Sequence, residues 1–349
     1  MQVAAVQTAQ PRGDWESPEP REAVAAVRAV FGGCYPGYRA AHARGTVVRG
    51  KFIPAGGARD LTTAQFMRQG PIDVTARFSS ASGDPSKPDN TRDPRGMAVR
   101  FHPPGGDLTD IVAISLPCFF VKTPQDFQML SQALRRGRFL PFQLLELLRF
   151  VAGHPESWKG LRRARPQPPP SYANCRYNAL HTFVWEDANH IRRYVRYSWR
   201  PGDGEASLTG REARKLPRDY LYQDLHDRLG RRPARPIRFT FEVQLASQED
   251  VREKRIGDPT KVWPQSRDRI LPATVDAVDD STLHKTKARV LSAGVLELND
   301  LADPLEQLRF DPVPRVDGLE PSDDEILLFR PPAYEVSAQQ RSEHDCGQR

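Results

Sequence analysis

Cysteine is scarce in this sequence, and the few that occur follow no pattern. Cys34, Cys118, Cys175 and Cys346 include no CxxC pair and no regular spacing. This absence argues against a disulfide framework or a zinc site and favours free thiols in a reducing compartment. Cys118 stands in an apolar run, where a thiol behaves as a small core residue.

Long apolar runs are also missing. No run approaches the roughly 20 residues that a membrane-spanning helix needs, and residues 1–19 lack the basic and apolar regions of a signal peptide. No glycine-rich fingerprint follows a strand and opens a helix, so a nucleotide-binding loop is not predicted. We therefore expect a soluble cytoplasmic protein without a membrane partner.

Charge is abundant, with 51 Lys and Arg against 44 Asp and Glu and a formal net charge of +7. Arginine is scattered from end to end, with short concentrations such as Arg162, Arg163 and Arg165. We interpret most of this charge as a solvated surface, with some arginines serving as buried anion partners, and expect no nucleic-acid partner. A basic binding patch is the alternative.

Hydrophobic periodicity predicts about eight strands, mostly joined by short turns, and several helices. The predicted strands are 46–53, 72–79, 96–102, 109–114, 181–186, 191–199, 237–246 and 291–298. The predicted helices are 20–31, 62–68, 124–136, 141–152, 217–229, 322–329 and 332–341. Without a βαβ rhythm, this order favours an α+β fold, an antiparallel eight-stranded β-barrel with surrounding helices. We predict a mobile arm at 1–18, a single domain at 19–342 and a tail at 343–349, and we assign no structure to 267–287.

Two helix starts carry capping signals. Thr123 with Pro124 and Asp126, and the run from Ser322 to Glu325, both fit a capping box. The Pro331-Pro332 pair offers no backbone N–H, so it predicts a break between a helix ending at Phe329 and a new helix ending at Arg341.

Tyr334 lies one helical turn after Arg330 and two turns before Arg341. A phenol has a pKa of about 10, so it binds iron as phenolate at neutral pH only with help from the metal and a nearby cation. Arg330 would supply that charge, and Arg341 would reach a carboxylate of a bound haem. From this segment alone, a surface or packing tyrosine is the simpler alternative.

His42 stands in a loop before the first predicted strand. Imidazole titrates at about pH 6.5, so it can take up and return a proton, as cleavage of a peroxide O–O bond requires. By itself, a lone histidine is more readily explained by a structural or exposed role. The other histidines show no metal-ligand spacing and are interpreted as surface or core residues: His102, His154, His181, His190, His226, His284 and His344.

Several motifs, in order, resemble the catalase superfamily, and in particular its small catalase-related haem peroxidases. The run from His42 to Gly45 matches the family's His-Ala-Lys/Arg-Gly, and the run from Arg77 to Ser79 matches its Arg-Phe-Ser. Residues 91–101 resemble its Arg-Asp-Pro-Arg-Gly stretch, and residues 110–120 resemble the segment that walls the distal side. Arg330, Tyr334 and Arg341 keep the spacing of the family's proximal residues. The resemblance is strong over residues 25–135 and 305–341.

This resemblance implies a catalase-like barrel that holds haem b. His42 would be the distal catalytic residue, Ser79 would orient it by a hydrogen bond, and Tyr334 would be the iron ligand. The residues expected to hold the cofactor are Arg39, Arg77, Phe120, Arg330 and Arg341. Aromatic side chains expected either to pack on the porphyrin or to fill the core are Phe78, Phe119, Phe120 and Phe127.

Departures from the large catalases refine the expected activity. Ile114 falls where they place a distal Asn, and it offers no polar group. Glu335-Val336 and Ala338 also differ from the large enzymes' proximal helix, and the chain ends soon after this helix. We expect a peroxidase that reduces hydrogen peroxide or organic peroxides with small organic donors and has weak or no catalase activity.

The alternatives are a fatty-acid hydroperoxide enzyme, a haem carrier or sensor, and a basic binding protein without haem. We also expect a homodimer.

Overall fold

The structure is a computed structural model that describes residues 19–135, 137, 139–231, 233–264, 289–302 and 308–343. The predicted arm at 1–18, the unassigned segment 267–287 and residues 344–349 of the predicted tail lie outside this range. None of the helices within it is both long and apolar enough to span a bilayer.

The described residues form one antiparallel sheet of nine strands. In chain order these are β1 (Gly45–Pro54), β2 (Ile72–Ser80), β3 (Arg95–His102), β4 (Thr109–Ile114), β5 (Tyr177–Glu186), β6 (Arg192–Pro201), β7 (Ile237–Leu245), β8 (Arg289–Leu301) and β9 (Leu319–Pro321). The first eight strands close into a barrel, since β4 pairs with β5 through Ile114 and Asn178. The short β9 adds to β5 outside this ring. The predicted eight-stranded antiparallel barrel is confirmed.

Ten helices surround the barrel in the part of the chain that the structure describes. They are α1 (Pro20–Val30), α2 (Gly56–Arg59), α3 (Gln65–Arg68), α4 (Pro124–Ala133), α5 (Leu140–Gly153), α6 (Ser157–Arg163), α7 (Gly210–Ala213), α8 (Tyr220–Leu229), α9 (Gln248–Arg252) and α10 (Glu325–Ser342). The connection from β4 to β5 contains α4, α5 and α6.

Aromatic side chains fill the barrel because the inward positions of its strands alternate with outward polar ones. Phe239, Phe241 and Val243 on β7 are fully buried, whereas Arg238 faces outward. Phe52 meets the rings of Phe101, Trp199 and Phe241 edge-on or tilted within the same core. A second, smaller cluster lies outside the barrel, where α4 and α5 meet α10.

The C-terminal helix contradicts one prediction. Instead of two helices separated by a break, α10 runs unbroken through Pro331 and Pro332. The two prolines each remove one backbone hydrogen bond, but a helix can continue through such a site when tertiary packing holds both flanks. Ile326 and Leu327 before the prolines and Arg341 after them are buried, so both flanks are held. Arg330, Tyr334 and Arg341 therefore share one helix.

The capping predictions are only partly right. Thr123 accepts the backbone N–H of Asp126 as expected, but the Asp126 carboxylate bonds His154 at 3.0 Å. At α10 the cap is Asp324, not Ser322, and its carboxylate accepts the Leu327 N–H.

The cysteine prediction also needs correction. Cys118 and Cys175 are free and buried, as expected. Cys34 is disulfide-bonded, so the prediction of free thiols is wrong at this position. The expected cytoplasmic location rested partly on free thiols and stays a prediction.

Candidate functional site

A cavity of about 420 Å³ lies between the barrel and helices α1, α4 and α10. All eight site residues predicted from the sequence line it: Arg39, His42, Arg77, Ser79, Phe120, Arg330, Tyr334 and Arg341. They come from the loop before β1, from β2, from the segment before α4 and from α10. The fold thus collects residues up to 302 positions apart in one enclosure, and their roles remain predictions.

His42 is fixed through both its backbone and its side chain. Its φ of 56° is a left-handed conformation that few non-glycine residues adopt. Its backbone N–H donates to Ala81 O at 3.1 Å, and its carbonyl accepts Arg77 Nη2 at 2.9 Å. Its Nδ1 lies 2.9 Å from Ser79 Oγ, so the hydroxyl sets the orientation of the ring. Strain of this kind persists only where surrounding contacts hold it, and it is common at active sites.

Gly96 makes room for this arrangement. Gly96 pairs with Ser79 across β2 and β3, and a Cβ built on it would lie 2.7 Å from two His42 ring atoms and 2.8 Å from Ser79 Oγ. Real Cβ atoms do not approach so closely, so only glycine fits beside the imidazole. Arg95 next to it is buried and donates to Ser80 Oγ and to the Asp89 and Thr91 carbonyls, which holds the preceding loop.

Burial and positive neighbours keep His42 neutral. Burial is the main effect that lowers the pKa of His42, to about 3, and the charges of Arg77, Arg39 and Arg330 add to it. The neutral ring has one protonated nitrogen. With Nδ1–H donated to Ser79, Nε2 keeps a lone pair and can accept a proton.

Three arginines share the cavity, of which Arg77 and Arg341 are buried and Arg39 is half-buried. Arg39, Arg77 and Arg341 have no Asp or Glu within 4.0 Å among the described residues. Burial lowers the pKa of Arg39 to about 9 and that of Arg77 to about 10, and it also lowers the pKa of Arg341. Holding unpaired cations out of water is costly, and an anionic ligand would offset the cost.

On α10, Arg330 holds the Tyr334 hydroxyl. Its Nη2 donates to Tyr334 Oη at 2.5 Å, and its guanidinium carbon lies 5.2 Å from the ring centre. The contact places a permanent cation beside the hydroxyl that the family resemblance makes the iron ligand. That role of Tyr334 remains a prediction.

His181 is a cavity residue that the sequence reasoning missed, since we interpreted it as surface or core. It is buried and lines the cavity, and its Nδ1 lies 2.7 Å from Asp324 Oδ2. Burial lowers the pKa of His181, and Asp324 opposes this shift. Asp324 is also the cap of α10, so this contact ties the cavity wall to the helix that carries Tyr334. A pair 143 positions apart leaves no local pattern in the sequence.

The aromatic predictions separate into two groups. Phe119, Phe120 and Phe127 line the cavity, with the rings of Phe119 and Phe120 5.3 Å apart. Phe78 does not line it, because its side chain points into the barrel core and stacks on Tyr172 at 5.3 Å. Successive residues of a strand face opposite sides, so Arg77 and Ser79 reach the cavity while Phe78 between them cannot.

A comparison with protein families shows to which family the chain belongs. The family model for catalase matches residues 37–348, nearly the whole chain. The chain belongs to the catalase family. A protein named catalase-related peroxidase from Mycolicibacterium paratuberculosis is 33% identical over 330 residues, covering 94% of this chain and 96% of the relative. A second protein of that name, from Synechococcus elongatus, is 28% identical and covers 93% and 88%.

Solved catalases show the same fold. Catalase A from Saccharomyces cerevisiae aligns with this family member at a TM-score of 0.70 and 25% identity, and a fungal catalase aligns at 0.70 and 23%. Each alignment covers 87% of this chain but only 61% and 59% of the larger catalase. The chain therefore spans about three fifths of these catalases and almost the full length of the two relatives named catalase-related peroxidase.

Proposed function

We propose that this protein is a haem-dependent peroxidase that reduces hydrogen peroxide or organic hydroperoxides with small organic electron donors. Membership of the catalase family and the two relatives named catalase-related peroxidase indicate an oxidoreductase that acts on peroxide. The observation that carries the finer proposal is one cavity holding a neutral His42, the Arg330–Tyr334 pair and three arginines without carboxylate partners.

The residues present fit haem b, which the catalase family typically binds. Haem has two carboxylates, and the cavity residues Arg39, Arg77 and Arg341 offer cations for them. Tyr334 Oη would ligate the iron, with Arg330 stabilising the phenolate, and Phe120 would pack on the macrocycle. When bound, haem would supply the iron to which peroxide binds and the capacity to hold oxidising equivalents.

His42 would move the proton in peroxide cleavage. Its Nε2 would accept the proton of one peroxide oxygen and then donate it to the other oxygen, which would leave as water from hydrogen peroxide or as an alcohol from an organic hydroperoxide. Two electrons and two protons from the organic donors would reduce the remaining oxygen to water. Ser79 holds Nδ1 during both transfers, so the ring does not rotate. Because the pKa of His42 is lowered to about 3, the ring is neutral and ready to accept this proton at physiological pH.

The cavity favours donor oxidation over dismutation of a second peroxide. Ile114, at the position where the large catalases place an Asn, lines the cavity and pairs with Gly96 beside His42. It offers no hydrogen bond to orient a second peroxide. We therefore propose weak or no catalase activity.

Fatty-acid hydroperoxides are the alternative substrate, and the mainly apolar lining supports them. Phe119, Phe127, Leu130 and Leu134 all face the cavity. A haem carrier or sensor is less well supported, because it would need neither the His42–Ser79 contact nor the glycine beside it. A cytoplasmic location and a homodimer remain predictions.

The test is an absorption spectrum of the purified, haem-reconstituted protein before and after peroxide, in the presence of an oxidisable phenol. We expect a Soret band that changes on peroxide and recovers with the phenol. His42→Ala should keep the band but lower turnover by at least about 100-fold, and Tyr334→Phe should lose much of the haem. His190→Ala, an exposed histidine on the β5–β6 turn, is the control.

Three outcomes would contradict the proposal in different ways. Undiminished turnover in His42→Ala would remove His42 from the mechanism. A Soret band indifferent to peroxide would indicate a carrier. Failure to bind haem at all would favour the basic binding protein.

A further inference from the structure

Helix α5 is apolar on both faces. Its inner side packs Leu147, Phe150 and Val151 into the cluster beside α4. Its outward side exposes more large apolar residues: Leu140, Phe142, Leu144, Leu145 and Leu148, with Phe139 just before the helix. A surface helix normally carries polar residues on its outer face, so an apolar outer face indicates that something covers it.

This exposure is concentrated, not scattered. Among the described residues, 16 large hydrophobic side chains are exposed, and eight of them lie between Met129 and Trp158. Single exposed apolar residues are ordinary on a protein surface, but a contiguous group marks an interaction site. We call residues 139–148 the α5 apolar face.

The same stretch of chain carries most of the protein's net positive charge. Residues 135–165 contain eight Lys and Arg against two Glu, a formal net charge of +6 in a chain whose total is +7. Exposed members include Arg149 on α5 and Lys159, Arg162 and Arg163 on α6.

The α5 apolar face and the basic residues in the same stretch of chain together indicate what binds there. We propose that the α5 apolar face docks on the surface of an anionic lipid bilayer, with the exposed basic side chains of Arg149, Lys159, Arg162 and Arg163 contacting the headgroups. Interfacial helices combine Phe, Leu and Trp with Lys and Arg in this way, and they lie in the membrane surface without crossing it. A second copy of this chain is a poorer fit, because it would bring another +6 against the first.

The proposal revises our expectation that the protein has no membrane partner, which rested on the absence of a spanning run. It also relates the membrane to the cavity. The inner side of α5 packs on the cluster that includes Phe127 and Leu130 of α4, and these two residues line the cavity. Helix α4 therefore contacts both the docking helix and the proposed site.

The test measures co-sedimentation of the purified full-length protein with vesicles of phosphatidylcholine alone or with phosphatidylglycerol added. We expect binding to the anionic vesicles, weaker binding as salt is raised, and little binding to neutral vesicles. The double variant Leu144→Glu/Leu148→Glu should reduce binding at least tenfold. These side chains are 55% and 59% exposed, so the changes open no cavity in the core.

The matched control is Leu108→Glu, on the turn between β3 and β4, where the leucine is also 55% exposed. It should bind anionic vesicles like the unmodified protein. A second variant, Arg149→Glu/Arg162→Glu, tests the charge separately and should also reduce binding severalfold, so the proposal stays testable even if the leucine variant fails to fold. Circular dichroism checks the fold of each variant.

Four results would overturn the proposal: no binding to anionic vesicles, equal binding to neutral vesicles, unchanged binding by the leucine variant, or unchanged binding by the charge variant. Sedimentation equilibrium identifies the competing occupant. A dimer that Leu144→Glu/Leu148→Glu splits, in a protein that ignores vesicles, would assign the face to a second copy.

Discussion

Arginines that are buried or half-buried occur in two different settings in this protein. On the barrel, Arg176 and Arg200 donate to Glu242 at 2.6 and 2.7 Å, and Arg100 makes two bonds to Asp110. In the cavity, Arg39, Arg77 and Arg341 have no such partner among the described residues. On the barrel, carboxylates of the protein balance the arginine charges. In the cavity, the positive charge is left for an anionic ligand to balance.

The electrostatics of the two settings differ accordingly. Burial alone would raise the pKa of Glu242, but the two arginines more than offset this and lower it. In the cavity, burial lowers the pKa of all three arginines, which means that the folded protein holds their charge at a cost. Proteins commonly hold such unfavourable charge at a site where a bound ligand offsets its energetic cost.

The largest effect is expected on the barrel. Glu242→Gln would leave Arg200 without its charge partner and Arg176 with only the exposed Glu205, and it should lower the free energy of unfolding by about 3 kcal/mol, measured by denaturant titration. Glu297→Gln removes an equivalent charge from the exposed pair with Arg238 and should cost less than about 1 kcal/mol. Equal effects of the two variants would mean that burial does not distinguish these ion pairs.

A smaller effect concerns the pH dependence that the cavity imposes on the protein without haem. The pKa of His42 is lowered to about 3, so between about pH 6.5 and 3 the unfolded chain binds a proton that the folded protein does not. Stability should therefore fall as pH falls through this window. The cavity admits solvent to the ring, so we expect a loss of only about 1–2 kcal/mol between pH 7 and 5.

The matched variant for this prediction is His42→Gln, which has no titrating group at the position. The difference in unfolding free energy between it and the unmodified protein isolates His42 from the other acid-titrating groups. If that difference stays constant from pH 7 to 5, the histidine titrates alike in the folded and unfolded chains, and the cavity does not hold it neutral.

The smallest expected effect has the opposite sign. Arg341 is buried without a carboxylate partner, so Arg341→Met should raise the unfolding free energy of the protein without haem by about 1 kcal/mol and weaken haem retention. Arg100→Met, which breaks the pair with Asp110, should lower stability. If Arg341→Met also lowers the unfolding free energy, the Arg341 charge does not destabilise the protein without haem. The argument that this charge awaits an anionic ligand then fails.

Much of the candidate site was predictable because its chemistry lies in short segments. The runs 42–45 and 77–79 each carry residues that meet across one pair of strands, and the strand alternation that predicts β1 and β2 also predicts which side chains share a face. Gly45 faces Ser79 in that register, so the loop holding His42 and the strand holding Ser79 are brought together by local pairing. The same alternation could have excluded Phe78 from the cavity.

Other features depended on contacts that no local pattern reports. Pro331 and Pro332 predict a break by their own chemistry, and only packing on both flanks makes α10 continuous. His181 contacts Asp324 because β5 and α10 adjoin the same cavity. In sequence, the α5 apolar face was only part of the helix predicted at 141–152, since periodicity reports that a residue is apolar but not whether a neighbour covers it.

The sequence by itself therefore determined the barrel strands and the spacing of Arg330, Tyr334 and Arg341, because each depends on periodicity or on residues within a few turns. The contact between His42 and Ser79, 37 positions apart, was expected only from the resemblance to a known family. The tertiary structure alone decided that these segments enclose one cavity, that no described carboxylate pairs with Arg39, Arg77 or Arg341, and that the described residues leave one face of α5 uncovered. Each of these properties depends on which groups, distant in sequence, lie near a residue and which do not. Those neighbours are defined only once the chain is folded.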